Sequence, residues 1–307
     1  MIEIIATPKS VEHAQELIDL GVNTLLIGED RFGLRLPCDF SREEQAKIIQ
    51  LGKDNKVKVL ISLNAMFHNE DIEAVKEYIP FLYELNVDAI LLGDPGVVQT
   101  MRNLKMEMPY IFDAQVMTTT SRQINFWAKR GAIGGVVARE VPLEELKVVA
   151  KNSIVPVEIL VYGTTCIHQS LRPLVENYLH FIEHPGKEVD RDKPLYLSEP
   201  MKKNTQYPIY EDCNGTHIFA NNDLNLMEQV DELYDIGLYT WKLDGLFIPK
   251  ETYDQVIQLF IQAKEAILDG TWTKELGHSL SLKVRELHPK HRGLDTGFLN
   301  IDPKSII

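Results

Sequence analysis

The chain has 307 residues, 44% hydrophobic and 25% charged, which is the balance of an ordinary globular protein and a length that suits one large α/β barrel better than one small core. No run of about 18 or more apolar residues occurs, which excludes a transmembrane helix. The formal net charge of −13 argues against strong autonomous binding to phosphate backbones, because a bare acidic surface repels them.

Apolar, β-rich runs alternate along the chain with stretches of helical period. Ile2–Ala6 reads as a first strand, and with no basic region or cleavage site around it the N-terminus does not resemble a signal peptide. Ser10–Leu20 follows as a helix, with Ser10 as N-cap and Gly21 as stop. The next pairs are strand Asn23–Gly28 with helix Ser41–Gly52, and strand Val57–Leu63 with helix Asn69–Leu85. Strand Asp88–Leu92 precedes a helix starting near Gly96, and Tyr110–Ala114 precedes helix Ser121–Arg130. Gly135–Ala138 precedes Pro142–Lys151. Val157–Val161 is the seventh strand, Tyr239–Leu243 the eighth, and Lys250–Leu268 the final helix.

Near-continuous apolar strands separated by helices imply a parallel sheet buried on both faces. Eight such units favour an α/β fold of the closed (β/α)8 TIM-like barrel type over residues 1–272. No GxGxxG follows the first strand, which weighs against a dinucleotide fold. The beat breaks after Cys166. Residues 167–222 are polar and interrupted by Pro173, Pro185, Pro194, Pro200 and Pro208, so a long insertion follows strand seven at the catalytic face, a candidate lid or partner surface. Within it, Tyr207–Tyr210 and Thr216–Phe219 flank Cys213-Asn214-Gly215 as a β-hairpin. Asn222–Tyr234 reads as the seventh helix, and 273–307 as a tail packed on or extending from the barrel. The basic stretch Lys283–Arg292 in that tail reads as a solvated segment, or as a local contact to RNA or an acidic partner.

Cys38, Cys166 and Cys213 are odd in number and widely spaced, with no CxxC, which points to a reducing cytoplasm rather than a disulfide framework. In a barrel, chemistry sits at the C-terminal ends of the strands. Those ends carry Thr7, Gly28-Glu29, Asn64, Gly93-Asp94, Asp113, Gln115, Arg139-Glu140, Tyr162-Gly163, and Lys242 with Asp244. Arg139 and Lys242 can clamp a carboxylate or phosphate, and Glu140 or Glu158 can move a proton. For each of these residues, helix capping or a buried ion pair is the competing structural reading. His168, two residues after Cys166, invites a Cys–His pair, although two such residues do not by themselves make a site. No HExxH or GxSxG occurs.

Several segments together resemble the collagenase-like peptidase U-32 family. They are Ile27-Gly28 with Phe32 and Arg35, Asn64 with Asn69, Asp88-Ala89-Ile90 with Asp94-Pro95-Gly96, and Asp113-Ala114-Gln115. Ala138-Arg139-Glu140, Glu158 with Gly163 and Cys166, Asn214-Gly215-Thr216, Asn222-Asp223-Leu224, Lys242 with Gly245, Arg292-Gly293 and Thr296-Gly297-Phe298 follow in order. The resemblance implies either a peptidase or a hydroxylation protein acting on tRNA (5-hydroxyuridine at the wobble position), on ribosomal RNA or on ubiquinone precursors. Its hydroxylating members hold a 4Fe-4S cluster through four cysteines, and some work as pairs of paralogues. In this chain only Cys166 stands at a cluster position. Pro173 and Asn225 replace two further ligands, and no cysteine occurs near Lys193 to Ser198. Tyr162 stands where the family has His, and Asp244 and Leu246 where it has an acid and an Arg.

The resemblance thus implies a cluster-less, cytoplasmic subunit of the tRNA-hydroxylation branch, without metal ligands or cofactor of its own. A 4Fe-4S cluster would sit on a paralogous partner, through which tRNA would be reached. The expected site combines catalytic Glu140, Glu158 and Lys242 with substrate-binding Arg35, Asn64, Gln115, Arg139, Tyr162 and Asp244. The alternatives are a collagenase-like peptidase, or a barrel enzyme that binds a small carboxylate metabolite through Arg139 and Lys242.

Overall fold

The computed structural model describes residues 1–302 except 115, 116, 185 and 187, and all of their side chains but those of 203 and 204. Six strand–helix units open the chain: β1 (Glu3–Ala6) and α1 (Val11–Leu20), β2 (Thr24–Ile27) and α2 (Arg42–Asn55), β3 (Lys58–Leu63) and α3 (Asn69–Glu84), β4 (Ala89–Leu92) and α4 (Pro95–Leu104), β5 (Tyr110–Phe112) and α5 (Ser121–Ala128), β6 (Ala132–Val136) and α6 (Leu143–Asn152). There follow β7 (Val157–Gly163), β8 (Cys166–Ser170), α7 (Leu174–Phe181), β9 (Leu195–Glu199), β10 (Lys202–Asp212), β11 (Gly215–Phe219) and β12 (Asn222–Asn225). The last elements are α8 (Val230–Asp235), β13 (Thr240–Leu243), α9 (Lys250–Leu268), α10 (Lys274–Leu287) and β14 (Gly293–Asp295).

Strands β1 to β7 pair in parallel in sequence order, and β13 pairs in parallel with both β7 and β1. The sheet therefore closes on itself as the eight-stranded (β/α)8 barrel that the alternation predicts. Alternation along each strand sorts the side chains. Ile4, Leu25, Ile27, Ile61, Ile90 and Leu92 face outward and join the main core beneath the helices. Ile5, Leu26, Leu60, Ala89 and Leu91 form a smaller cluster inside the barrel. On the opposite arc, β7 and β13 carry Glu158 and Lys242 where the other strands carry apolar residues. That side of the barrel is polar, and a cavity opens above it.

Two elements differ from their expected bounds. Strand β6 starts at Ala132, earlier than Gly135–Ala138, because Gly134 and Gly135 lack the branched side chains that mark a strand. Gly135 is packed tightly: a Cβ there would lie 3.0 Å from Ile124 Cγ2. The stretch Asn222–Tyr234 is not one helix. It is β12, antiparallel to β7 and parallel to β14, followed by the short α8. Its strand half buries Asp223 and Asn225, whose polar groups are met by the C-terminal segment.

The insertion folds as a four-stranded antiparallel sheet in the order β8-β11-β10-β9, with the expected hairpin at β10–β11. Helix α7 packs on it through Val175 and Leu179 against Ile209. The sheet leans on the loop after β2: Asn214 Nδ2 donates to the Asp30 carbonyl at 2.6 Å, and Arg191 bonds the Leu36 carbonyl at 2.6 Å and pairs with Asp30. The insertion thus roofs the mouth of the barrel.

Residues 273–302 pack on the barrel body. Helix α10 lies along α9 with Leu280 and Val284 fully buried. The basic stretch there is only partly solvated. Arg292 is buried and pairs with the buried Asp223 (Nε to Oδ2, 2.8 Å), while His288 lies beside the same carboxylate at 3.3 Å.

Candidate functional site

The cavity at the C-terminal ends of the barrel strands has a volume of about 410 Å³. Of the residues expected to form the site, Arg35, Asn64, Arg139, Glu158, Lys242 and Asp244 line it. Gln115 lies outside the described residues.

Two expected residues do not line the cavity. Glu140 lies in the turn beyond the end of β6 and is exposed, while its neighbour Arg139 lines the cavity. Tyr162 is fully buried outside the barrel. Strand β7 slips register against β13 beyond Leu160, so Leu243 faces Tyr162 rather than Val161. One extra residue reverses the facing of the remainder of the strand. Tyr162 therefore leaves the inward set of Glu158 and Leu160, tilts against Phe260 and hydrogen-bonds His288 Nδ1 at 2.9 Å.

Asn64 is held firmly. Its Oδ1 accepts from the Leu34 amide (2.9 Å) and Ser62 Oγ (2.8 Å), and its Nδ2 donates to Asp113 Oδ2 at 2.8 Å. The first of these bonds fixes the loop after β2, on which Arg35 sits at the positive φ of 57° and donates to Gln169 Oε1 of β8 at 2.8 Å. A non-glycine residue in that region persists where its surroundings over-determine it. Arg139, half-buried at the end of β6, has no hydrogen bond or ion pair among the described residues. Its guanidinium is available to an anion in the cavity.

Lys242 lies 3.4 Å from Asp244 Oδ2, and Asp244 Oδ1 accepts from the Leu246 amide at 3.0 Å. Gly163 permits this approach of β7 to β13. Its φ is 123°, and a Cβ there would lie 2.7 Å from the Asp244 carbonyl oxygen. Glu158 is buried, and its Oε2 has no hydrogen-bond partner. Burial pushes its carboxyl up to about 7, opposed by the Lys242 and Arg139 charges and reinforced by Asp113. A carboxyl poised near neutrality beside two cations can hold or move a proton.

Cys166 also lines the cavity, but its partner is not His168. That side chain is exposed, and only its carbonyl meets the thiol, at 3.2 Å. The imidazole beside the thiol is His217 of β11, which is fully buried and bonded through Nε2 to Asp212 Oδ1 at 2.9 Å. His217 stands within the hairpin strand Thr216–Phe219, whose sequence reading singled out no functional residue. The alternation in Thr216–Phe219, which puts His217 and Phe219 on one face, was the available signal.

The cysteines do not suit an iron–sulfur cluster, which takes about four thiolates. Cys38 is half-buried and Cys213 exposed, and neither joins Cys166 in a ligand group among the described residues. The one group there with metal-ligand spacing, His13, Glu16 and Asp254, is bridged by the Lys250 ammonium, which contacts both carboxylates. No helix among the described residues is long and apolar enough to cross a membrane.

Known proteins resemble this chain in sequence. The chain is 32% identical over 302 residues to the "tRNA hydroxylation protein P2" of Bacillus subtilis, covering 96% of each chain. It is 22% identical over 292 residues to the "tRNA hydroxylation protein P1" of the same organism, covering 89% of this chain and 67% of that one. The "Collagenase" of Porphyromonas gingivalis is 20% identical over 288 residues, with 89% and 68% covered. Among solved structures, the U32 peptidase Mk0906 overlaps 65% of this chain and 83% of that chain at 16% identity, with a TM-score of 0.48. Peptidase family U32 matches residues 9–306, and the chain belongs to that family.

Proposed function

We propose that this chain is a cluster-less subunit that acts with a cysteine-complete paralogue in hydroxylating the wobble uridine of tRNA. The observation that carries the reading is near end-to-end likeness to a relative called tRNA hydroxylation protein P2, in a chain whose cavity holds a single cysteine. A second relative, P1, occurs in the same organism as P2, which supports a paired arrangement. With a net charge of −13, this chain gains tRNA contact through its partner.

In this reading the cavity takes a small carboxylate metabolite. Arg139 and Lys242 hold its anionic end, and Asn64 and Arg35 shape the wall. Glu158 holds a proton near neutral pH, takes it up more firmly when an anion binds beside it and can release it when the anion leaves. Any iron–sulfur chemistry belongs to the partner. The test is deletion of the gene in its host, followed by mass analysis of tRNA nucleosides. Loss of wobble 5-hydroxyuridine is expected, with restoration by the intact gene; unchanged modification would refute the reading.

A further inference from the structure

Strand β8 carries a one-residue irregularity against β11: Phe219 faces Cys166 and Ile218 faces His168, leaving Ile167 as the extra residue. The bulge brings Cys166 and Gln169, three residues apart, onto one face. His217 and Phe219 are on that face too, because His217 pairs with Gln169. Tyr210, opposite His217 on β10, lies 5.0 Å from it ring to ring. The wall of this pocket is thus Cys166 in front, His217 behind it and Asp212 behind His217.

The partners are well defined. Asp212 Oδ1 accepts from the Asn214 amide at 2.8 Å and meets His217 Nε2 at 2.9 Å. His217 Nδ1 is buried and unpartnered among the described residues, on the same face of the sheet as the Cys166 thiol, which itself meets the His168 carbonyl at 3.2 Å. The thiol itself lines the same cavity as Arg35 and Arg139. Burial raises the thiol, but the neighbouring His217 imidazole and the charges of Arg35 and Arg139 outweigh it, so it lies below an ordinary cysteine. Burial instead raises Cys38 to about 11 and also raises Cys213.

We infer that Cys166, His217 and Asp212 form a nucleophile, base and orienting group that cleave a small acyl thioester bearing a carboxylate, with Arg139 and Arg35 holding that carboxylate. The arrangement has the logic of an activated nucleophile whose base is fixed by a third group. The cavity, about 410 Å³, suits a metabolite-sized acyl group. This function shares the cavity and Arg139 with the metabolite site proposed above, but it needs no partner subunit and its tests are read on this chain alone.

The step balances with water alone. The Cys166 thiolate adds to the acyl carbon, forming a C–S bond as the bond to the leaving thiolate breaks. The imidazolium proton of His217 passes to that leaving thiolate. His217 then takes a proton from water, whose oxygen displaces Cys166. The products are a carboxylic acid and a thiol, and the thiolate–imidazolium pair is restored.

Two measurements on the full chain test the inference. Alkylation by iodoacetate at pH 7 is expected to be about tenfold faster at Cys166 than at Cys38 or Cys213, read by peptide mass analysis. Arg139→Ala should slow iodoacetate about tenfold while leaving neutral iodoacetamide nearly unchanged. With the phenyl monothioester of succinate as probe, thiol release should begin with a burst and an acyl adduct on Cys166. Release should vanish in Cys166→Ala and fall about 100-fold in His217→Asn, a variant checked by its melting curve. Release that persists in Cys166→Ala overturns the inference. So does alkylation of Cys166 no faster than that of Cys38, and so does fast alkylation with neither acyl adduct nor thiol release, all three being readable in wild type or in the conservative Cys166→Ala.

Discussion

Glu158 and Lys242 project into one cavity from neighbouring barrel strands, in a register that sets Thr240 opposite Glu158 and Lys242 opposite Leu160. The ammonium is thus the diagonal neighbour of the carboxyl, close enough to oppose its desolvation but not to form an ion pair with it. The lysine's ion-pair partner is Asp244, at 3.4 Å.

The protonation of Glu158 links stability to pH. Its folded value, about 7, lies above its ordinary value of 4.5, so the folded state keeps a proton that the unfolded chain has lost. Stability from this group is fully present below pH 4.5 and falls as pH rises through 7. Glu158→Gln removes that dependence. The stability of the variant relative to wild type should rise by about 3 kcal/mol between pH 4 and pH 8. Urea denaturation at the two pH values measures it, and a constant difference would show that Glu158 is ionised throughout.

Arg139 has no hydrogen bond or ion pair among the described residues and faces the cavity. Arg139→Ala should weaken binding of succinate, read by calorimetry, by at least about tenfold, the scale of one charge-assisted hydrogen bond. Folding should be nearly unaffected, because the side chain has no hydrogen-bond or ion-pair partner to strand among the described residues. Equal affinity in the two proteins would remove Arg139 from the site.

The C-terminal segment is locked by a buried ion pair. Arg292→Ala leaves Asp223 buried with only His288 beside it and should cost about 3 kcal/mol. The carboxyl of Asp223 is pushed up by burial but held below its usual range by Arg292 and His288. Its stabilising contribution is therefore present above the ordinary carboxylate range and lost as pH falls through the folded value. The variant should show a flatter acid limb in its unfolding curve; an unchanged one would mean that the pair does not control acid stability.

Gly163 is needed for both its backbone and its missing Cβ. Gly163→Ala should destabilise the fold by more than about 1 kcal/mol, because alanine is strained at positive φ. The new methyl would also press on Asp244, shifting the Lys242 contact, so succinate affinity should fall with stability. Lost stability with unchanged affinity would separate the strand-end geometry from the cavity.

The barrel was legible in the sequence because each strand–helix unit has its own period, and closure follows from their number. Glu158 and Lys242 were legible as charges inside apolar strands, and Arg139 as a strand-end cation. Tyr162 was misread because the slip beside Leu160 reverses facing without leaving a mark in the residue pattern. Glu140 was misread for a related reason: a strand-end position does not say which of two adjacent side chains turns inward. His217 escaped because its contact with Cys166 comes from pairing across the insertion sheet, which no local pattern records. The helical reading of Asn222–Tyr234 failed where tertiary pairing with β7 and β14 overrode helical spacing.

The most direct test of the partner-subunit reading is anaerobic purification of the tagged chain from its own host, with iron and mass analysis of the proteins that accompany it. The account predicts a cysteine-rich paralogue of the same family carrying the iron, with none bound to this chain when the two are separated. An iron-free chain purified alone, or iron that stays with this chain after separation, would contradict it.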